Sequence, residues 1–302
     1  RPDRKARHAM TAPKVSVNLC CYNSERFLEE TLASIFSQTC ADYELVIVND
    51  GSSDRTDEIV RGHIARGREI VYQPQPNAGL GAARNKALEL SKGELIAIID
   101  HDDVWEPEKL ARQLPLFRDP EVGFAGCDAL YVDSAGRPLG RYSLQAPLRR
   151  GRVLRELFLW NFIPCAAVVM RRSAIEKAGG FFKPDYRIAE EYELFLRLAG
   201  VSSFDFDPEP LVRLRVHPGS AGWDCARERA EMRRAYGECL RREPALAAGL
   251  GADELAIKRA GLWLRPGTSP LKRAALRGVA ALGPAAVDAL AGAKRFLARL
   301  AA

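Results

Sequence analysis

Four consecutive residues, Asp100-His101-Asp102-Asp103, put three carboxylates on one short turn directly after the apolar run Leu95-Ile96-Ala97-Ile98-Ile99. Carboxylates so crowded repel one another unless a cation or a set of N–H donors compensates them. Hard divalent ions such as Mg²⁺ and Mn²⁺ take oxygen ligands, commonly one or two carboxylates completed by substrate phosphates. The turn therefore reads as a metal clasp for a diphosphate. The plain alternative is a helix start, with Asp102 or Asp103 capping a helix opened by Trp105-Glu106-Pro107-Glu108. A second polar turn, Asn49-Asp50-Gly51-Ser52-Ser53-Asp54, offers an acid to a ribose or base, or else is a glycine turn followed by an N-cap at Ser53 or Asp54. The segment from Asn77 to Asn85 leads into a helix through Gly79 and places Arg84 one turn in. Helix N-termini bind phosphate, although neither GxxxxGK nor GxGxxG is present. Glu190-Glu191 open a helical stretch whose Leu194, Phe195 and Leu198 face a core. An acid there suits the helix dipole, and it can also act as general base toward an attacking hydroxyl. His217 lies in the turn His217-Pro218-Gly219-Ser220, where a lone histidine is more often structural or solvated than a ligand.

These groups need elements to hold them, and the first hundred residues supply an alternation of strand and helix. Strands are expected at Val15–Leu19, Leu45–Val48, Ile70–Tyr72 and Leu95–Ile99, with helices around Phe27–Phe36, Thr56–Ile64 and Leu80–Leu90. Such a βαβα order implies a mostly parallel sheet covered by helices, whose ligands bind at the carboxyl ends of the strands. The polar groups Tyr22-Asn23, Asn49-Asp50 and Asp100 to Asp103 all fall at those ends. Further on, Val122–Cys127, Leu130–Val132 and Ala166–Met170 read as strands, with a turn at Asp133–Gly136 and a helix at Glu190–Leu198. After about Asp224 the chain turns Arg- and Ala-rich and helical, broken at Pro266-Gly267 and Gly283-Pro284.

The 302 residues, 47% hydrophobic and 28% charged, suffice for one large α/β domain plus an appendage and exclude a disordered chain. No apolar run approaches the roughly 18 residues of a membrane span. Residues 1–13 read as a basic, disordered lead-in without an apolar signal core. The seven scattered cysteines form no CxxC pair, so buried thiols in a reducing, cytoplasmic setting are expected. A net charge of +6 suits a phosphate-bearing substrate, an anionic membrane or nucleic acid without choosing among them. Nucleic acid is disfavoured because no aromatic-basic interleaving appears. Lys272, Arg273, Arg277, Lys294, Arg295 and Arg299, set among Ala and Leu, fit either a solvated helical appendage or amphipathic helices lying on anionic lipid.

Taken in order, these segments resemble the family 2 glycosyltransferases of the GT-A fold. The resemblance is carried by the run from Val15 to Asn23, by Glu29–Ile35, Val46–Asp54, Gly81–Asn85, Ile99–Trp105, Gly179-Gly180-Phe181, Ala189–Leu198 and Arg215–Ser220. It covers roughly residues 14–222. It implies a Rossmann-like mixed α/β sheet flanked by helices: a nucleotide-binding half at 14–104, an acceptor half at 105–224, and a helical C-terminal region at 225–302. The implied activity is metal-dependent, inverting transfer of a sugar from a nucleotide diphosphate-sugar, a UDP-sugar first, to a saccharide or lipid-linked hydroxyl. Bacterial cell-envelope polysaccharide or glycoconjugate synthesis would be the setting, with the protein cytoplasmic or peripheral to the inner face of the membrane. By the same resemblance Cys20, Tyr22, Asn23, Asp50, Arg84 and Asp100 would meet the nucleotide. Asp100 and Asp102, with Asp103 and His217 beside them, would hold Mn²⁺ or Mg²⁺. Glu191 would be the general base, with Glu190 as its alternative, and Gly180 and Phe181 would border the acceptor. Asn49 and Glu191 stand where the family commonly has Asp. Two rival readings are a non-catalytic binding module retaining the fold and a nucleotide-sugar pyrophosphorylase. The second would carry a Gly-rich basic loop where this chain has Cys20–Glu25.

Overall fold

Val15–Cys21 forms strand β1, buried along its whole length, as a central strand of a covered sheet must be. Its polar Asn18 is satisfied there by Ser91, whose Oγ donates to Asn18 Oδ1 at 2.8 Å. In this computed structural model, which describes residues 13–144, 149–217, 225–259 and positions 272, 276, 278, 279 and 281, β1 is joined by β2 (Tyr43–Asp50), β3 (Val71–Gln75) and β4 (Leu95–Asp100). These four are parallel in the order β3-β2-β1-β4. The chain thus grows outward from β1 on one side and then returns to its other side, which leaves a crevice at the carboxyl end between β1 and β4. Helices α1 (Leu28–Phe36), α2 (Thr56–Ala65) and α3 (Leu80–Leu90) make the crossovers.

The alternation of side chains along the strands separates two faces. Val15, Val17 and Leu19 of β1 join Leu28, Leu32 and Ile35 of α1 in one apolar cluster. On the opposite face Cys20, Val46 and Val48 meet Ala83 and Ala87 of α3. Ile96 and Ile98 of β4 enter a larger cluster with the later helices. Each such fully buried aliphatic side chain is worth about 1.5–3 kcal/mol relative to exposure.

The second half extends the same sheet with mixed direction. It contributes β5 (Val104–Trp105), β6 (Val122–Val132), β7 (Pro138–Arg141), β8 (Val169–Arg171) and β9 (Ser203–Arg215). Strand β8 runs antiparallel to β4 and β6, β9 parallel to β6, and β5 antiparallel to β9. Helices α4 (Lys109–Gln113), α5 (Leu154–Leu159), α6 (Arg172–Lys177) and α7 (Glu190–Val201) flank it. The C-terminal region adds α8 (Cys225–Arg242), α9 (Pro244–Gly249) and α10 (Ala252–Arg259). Its Met232, Ala235, Tyr236, Cys239, Leu250 and Ile257 are buried in the same cluster as α7.

Three expectations are corrected. No helix starts at Trp105; Val104 and Trp105 pair with Arg213 and Val212 instead, so neither Asp102 nor Asp103 is a helix cap. The strand expected at Ala166–Met170 begins only at Val169, because a 3₁₀ turn occupies Cys165–Ala167. The carbonyls of Ala166 and Ala167 are taken by Trp105 Nε1 and Gln113 Nε2, both at 2.9 Å, rather than by a ladder. The two strands expected at Val122–Cys127 and Leu130–Val132 are one strand with irregular register. The lead-in 1–12 lies outside the described residues, as does 266–302 apart from the positions above. Among the described residues no helix is long and apolar enough to cross a membrane.

Candidate active site

The register of the parallel strands brings the polar groups to one edge. Cys20 lies beside Val48 on one side and Asp100 on the other, and Cys21 beside Asn49. Beyond that edge opens a cleft of about 600 Å³, whose lining includes Cys20–Tyr22, Asp50, Arg84, Asp100–Asp103, Glu190 and Glu191. Burial pushes the Cys20 thiol up to about 12, and Cys21 is raised in the same way, so both are neutral wall residues.

On one wall Asp50 gathers the turn that follows β3. Its Oδ1 accepts from Gln75 Nε2 at 2.7 Å and from the Ala78 amide at 2.9 Å, and its Oδ2 from the Gly79 amide at 2.8 Å. Gly79 has φ +90°, a backbone conformation that favours glycine, and the Arg187 guanidinium crosses directly over it. Asn49 is structural: its Oδ1 accepts from the Ser52 amide and its Nδ2 donates to the Tyr72 hydroxyl, both at 3.0 Å. Asn23, at φ +49°, holds the Ser53 amide at 2.9 Å and sits outside the cleft lining, whereas Tyr22 is half exposed within it.

The acidic turn is pinned from below. Thr31 of α1 places its hydroxyl 3.0 Å from the His101 carbonyl and 2.8 Å from that of Asp103. Arg215, at the end of β9, donates its amide to Asp103 Oδ1 and its Nε to the Asp102 carbonyl, both at 2.9 Å. The same guanidinium reaches Glu30 at 2.6 Å and lies 4.6 Å above the Phe27 ring. Asp103 is buried, and burial, reinforced by Asp102 and Asp100, raises its carboxyl well above the usual range. Asp102 instead meets His217, whose Nε2 stands 2.9 Å from Asp102 Oδ2. Replacing Thr31 with the isosteric valine removes the hydroxyl that anchors two carbonyls of this turn. We expect Thr31→Val to cost about 1–2 kcal/mol in urea denaturation.

Across the cleft Arg84 joins three carboxylates. Its Nη2 donates to Asp100 Oδ1 at 2.9 Å, and its Nη1 to Glu190 Oε1 at 2.8 Å and Glu191 Oε2 at 3.3 Å. Arg84 and Glu190 are almost wholly buried, while Glu191 keeps 24% of its side chain accessible. The other oxygen of Glu190, Oε2, is buried without a hydrogen bond. Burial raises the Glu190 carboxyl against the opposing pull of Arg84. Burial, then the neighbouring Glu190 charge, pushes Glu191 up to about 8. A carboxylate of that kind can take a proton from a bound hydroxyl, and the opposite wall can receive an anion with a cation between.

The structure therefore gathers Cys20, Tyr22, Asp50, Arg84, Asp100, Asp102, Asp103, Glu190 and Glu191 around one cleft, with His217 against Asp102. Gly180 and Phe181 lie outside its lining; their carbonyls accept from Arg197 at 2.8 Å, and the Phe181 ring is half exposed. Sequence reading missed Asn161, Arg187, Glu228 and Met232, which also line the cleft. Glu228 and Met232, four apart on α8, share one helix face, a spacing the sequence does contain.

The glycosyl transferase family 2 profile matches residues 16–179. A putative teichuronic acid biosynthesis glycosyltransferase, TuaG of Bacillus subtilis, is 30% identical over 188 residues, 62% of this chain and 72% of its own. An uncharacterized glycosyltransferase of Rickettsia typhi is 28% identical over 68% of this chain; the chain spans 65% of that relative's length. Among solved structures, the mannosyltransferase PcManGT of Pyrobaculum calidifontis, in complex with GDP-Man and Mn²⁺, superposes with TM-score 0.62 at 22% identity, covering 98% of this chain and 83% of its own. S. aureus TarS 1–349 in complex with UDP-GlcNAc gives 0.60 at 18%, covering 82% and 70%. At these identities the likeness is one of fold, and the fold is of the GT-A type.

Proposed function

The chain belongs to glycosyl transferase family 2, and from that premise we propose that it is an inverting glycosyltransferase that moves a sugar from a nucleotide diphosphate-sugar to an acceptor hydroxyl. The observation that carries this reading is the single cleft in which the acidic turn Asp100–Asp103 faces Glu190 and Glu191 across Arg84. In it, Tyr22 and Asp50 border the nucleoside and the diphosphate lies toward Asp102. The donor set there suits Mn²⁺ or Mg²⁺: a carboxylate, Asp102, sits within 2.9 Å of the His217 imidazole, with Asp100 two residues away. Among the described residues no three such side chains are placed to hold an ion together, against the four named from the sequence, so substrate phosphates would have to supply the remaining ligands. When bound, such an ion offsets charge on the diphosphate leaving group. Asp103, buried and held by Arg215, serves as a brace of the turn rather than as a ligand.

Glu191 accepts the proton of the acceptor hydroxyl as its oxygen attacks the anomeric carbon. The bond from that carbon to the acceptor oxygen forms while the bond to the diphosphate breaks on the opposite side, so the configuration inverts. Arg84 holds Glu191 toward the reacting centre and compensates Glu190, which is too buried to meet the acceptor. The relatives' names support the substrate classes: TarS binds UDP-GlcNAc and PcManGT binds GDP-Man, which makes GDP the main competitor of UDP. TuaG's name, with its teichuronic acid, supports a saccharide as acceptor.

Calorimetric titration of UDP, dTDP, GDP and CMP, each with Mn²⁺ and with EDTA, tests the donor half. One nucleoside diphosphate is expected to bind in Mn²⁺ and to lose roughly tenfold or more in affinity in EDTA. Failure of every nucleotide to bind under both conditions would sink the proposal.

A further inference from the structure

Helix α7 carries Glu190 and Glu191 in its first turn, yet the residue preceding it, Ala189, has no side chain able to cap the helix. The backbone donors leading into the helix are taken up by another element. Glu231 of α8 accepts from the Arg187 amide through both oxygens at 3.0 Å. Its Oε2 also accepts from the Ile188 amide at 2.8 Å and the Ala189 amide at 3.0 Å. One carboxylate thus gathers three consecutive N–H groups, the arrangement by which backbone binds anions most firmly.

The same helix grips the preceding loop twice more. Glu238 takes Lys183 Nζ at 2.6 Å, and Arg234 pairs with Asp185. Met232, next to Glu231, is buried and forms part of the cleft wall. On the cleft side of the clamped segment, Arg187 reaches over Gly79 to the Ala78 carbonyl at 3.2 Å. Helix α8 lies wholly beyond residue 179, where the family match ends.

We infer that Glu231 is a positioning residue for the proposed transfer: by holding residues 187–189 it fixes the first turn of α7, and with it Glu190 and Glu191, against Arg84. The inference rests on the reading of Glu191 as general base. Glu231 does not line the cleft itself, so its contribution runs through the backbone it holds.

The test compares the native chain with Glu231→Ala and Glu231→Gln in steady-state kinetics, UDP titration in Mn²⁺, and amide hydrogen exchange without ligand. Glu231→Ala is expected to lower kcat roughly 10- to 100-fold, the cost of a misplaced catalytic group. UDP affinity should stay within about threefold, because Asp50 is held by the Ala78 and Gly79 amides and the acidic turn by Thr31 and Arg215, bonds that the substitution leaves in place. Exchange should accelerate at residues 187–193 and remain unchanged in α3. Glu231→Gln, whose carbonyl oxygen still accepts, should recover most of the protection and of kcat, and it carries the test should the alanine variant not fold. A kcat for Glu231→Ala within about twofold of native, or unaltered exchange at 187–189, overturns the inference. So does a loss of UDP affinity as large as the loss of kcat. A native chain that turns over no donor sinks the transferase reading instead, and the exchange pattern then decides by itself whether Glu231 holds the turn.

Discussion

Replacing Asp102 with alanine is expected to weaken Mn²⁺-dependent UDP binding by roughly 100-fold or more, about 2.7 kcal/mol, with the fold retained. The reasoning is local. The backbone of the turn is held through the Asp102 carbonyl, the Thr31 hydroxyl and the Asp103 carboxyl, none of which the substitution removes. What disappears is the carboxylate facing His217, the oxygen donor best placed to share an ion with a diphosphate. In EDTA the variant should bind UDP at least as well as the native chain, since without the ion the carboxylate has only repulsion to offer. Equal affinities in Mn²⁺ would show that the ion, if used, is held elsewhere.

Glu191→Gln should leave UDP affinity nearly unchanged and reduce kcat by about 10²- to 10⁴-fold, the usual worth of a positioned general base. The amide keeps an oxygen for Arg84 but cannot take a proton from the acceptor. The native pH dependence supplies a second reading of the same group. Burial and the Glu190 charge raise Glu191 to about 8, so at neutral pH most molecules carry it protonated and unable to act as base. The kcat/KM of the native chain should therefore climb about tenfold per pH unit below 8 and level off above it. Glu191→Gln should flatten that limb. A slope that survives the substitution would remove Glu191 from the role.

Much of the first half was legible because its elements obey simple periods. Helix α3 spans Leu80–Leu90 as its pattern and its leading Gly79 require, and β1, β2 and β4 each include the apolar run that foretold them. The second half was harder to read, for reasons that lie in long-range pairing. Strand β9 contains Pro208 and Pro210, which ordinarily argue against a strand. It tolerates Pro208 because Cys127 lies opposite Asp207 and the next residue, Asp128, opposite Pro210, so Pro208 and Glu209 stand outside the register, and Pro210 sits where the register shifts again. Val104-Trp105 is a strand only because β9 is beside it. At the site, the three strand-end clusters could be read as neighbours from the parallel-sheet rule alone. The joining of Arg84 to Glu190, 106 residues away, could not, nor could the reach of Glu231. Both depend on how helices meet in space, and no local pattern encodes that.

Arg84 belongs to the first crossover after β3, yet two of its three partners belong to α7. A buried guanidinium stripped of its carboxylates, or the reverse, costs about 3–5 kcal/mol, a large share of the roughly 5–15 kcal/mol by which a domain is stable. The two halves are consequently not interchangeable parts. Exchanging the second half for that of another chain would leave Arg84 with Asp100 alone unless an acid stood at position 190 or 191. Substitution is borne best at the rim, as at the half-exposed Phe181, which carries no such bond across the middle, and worst at the centre, which works as one piece.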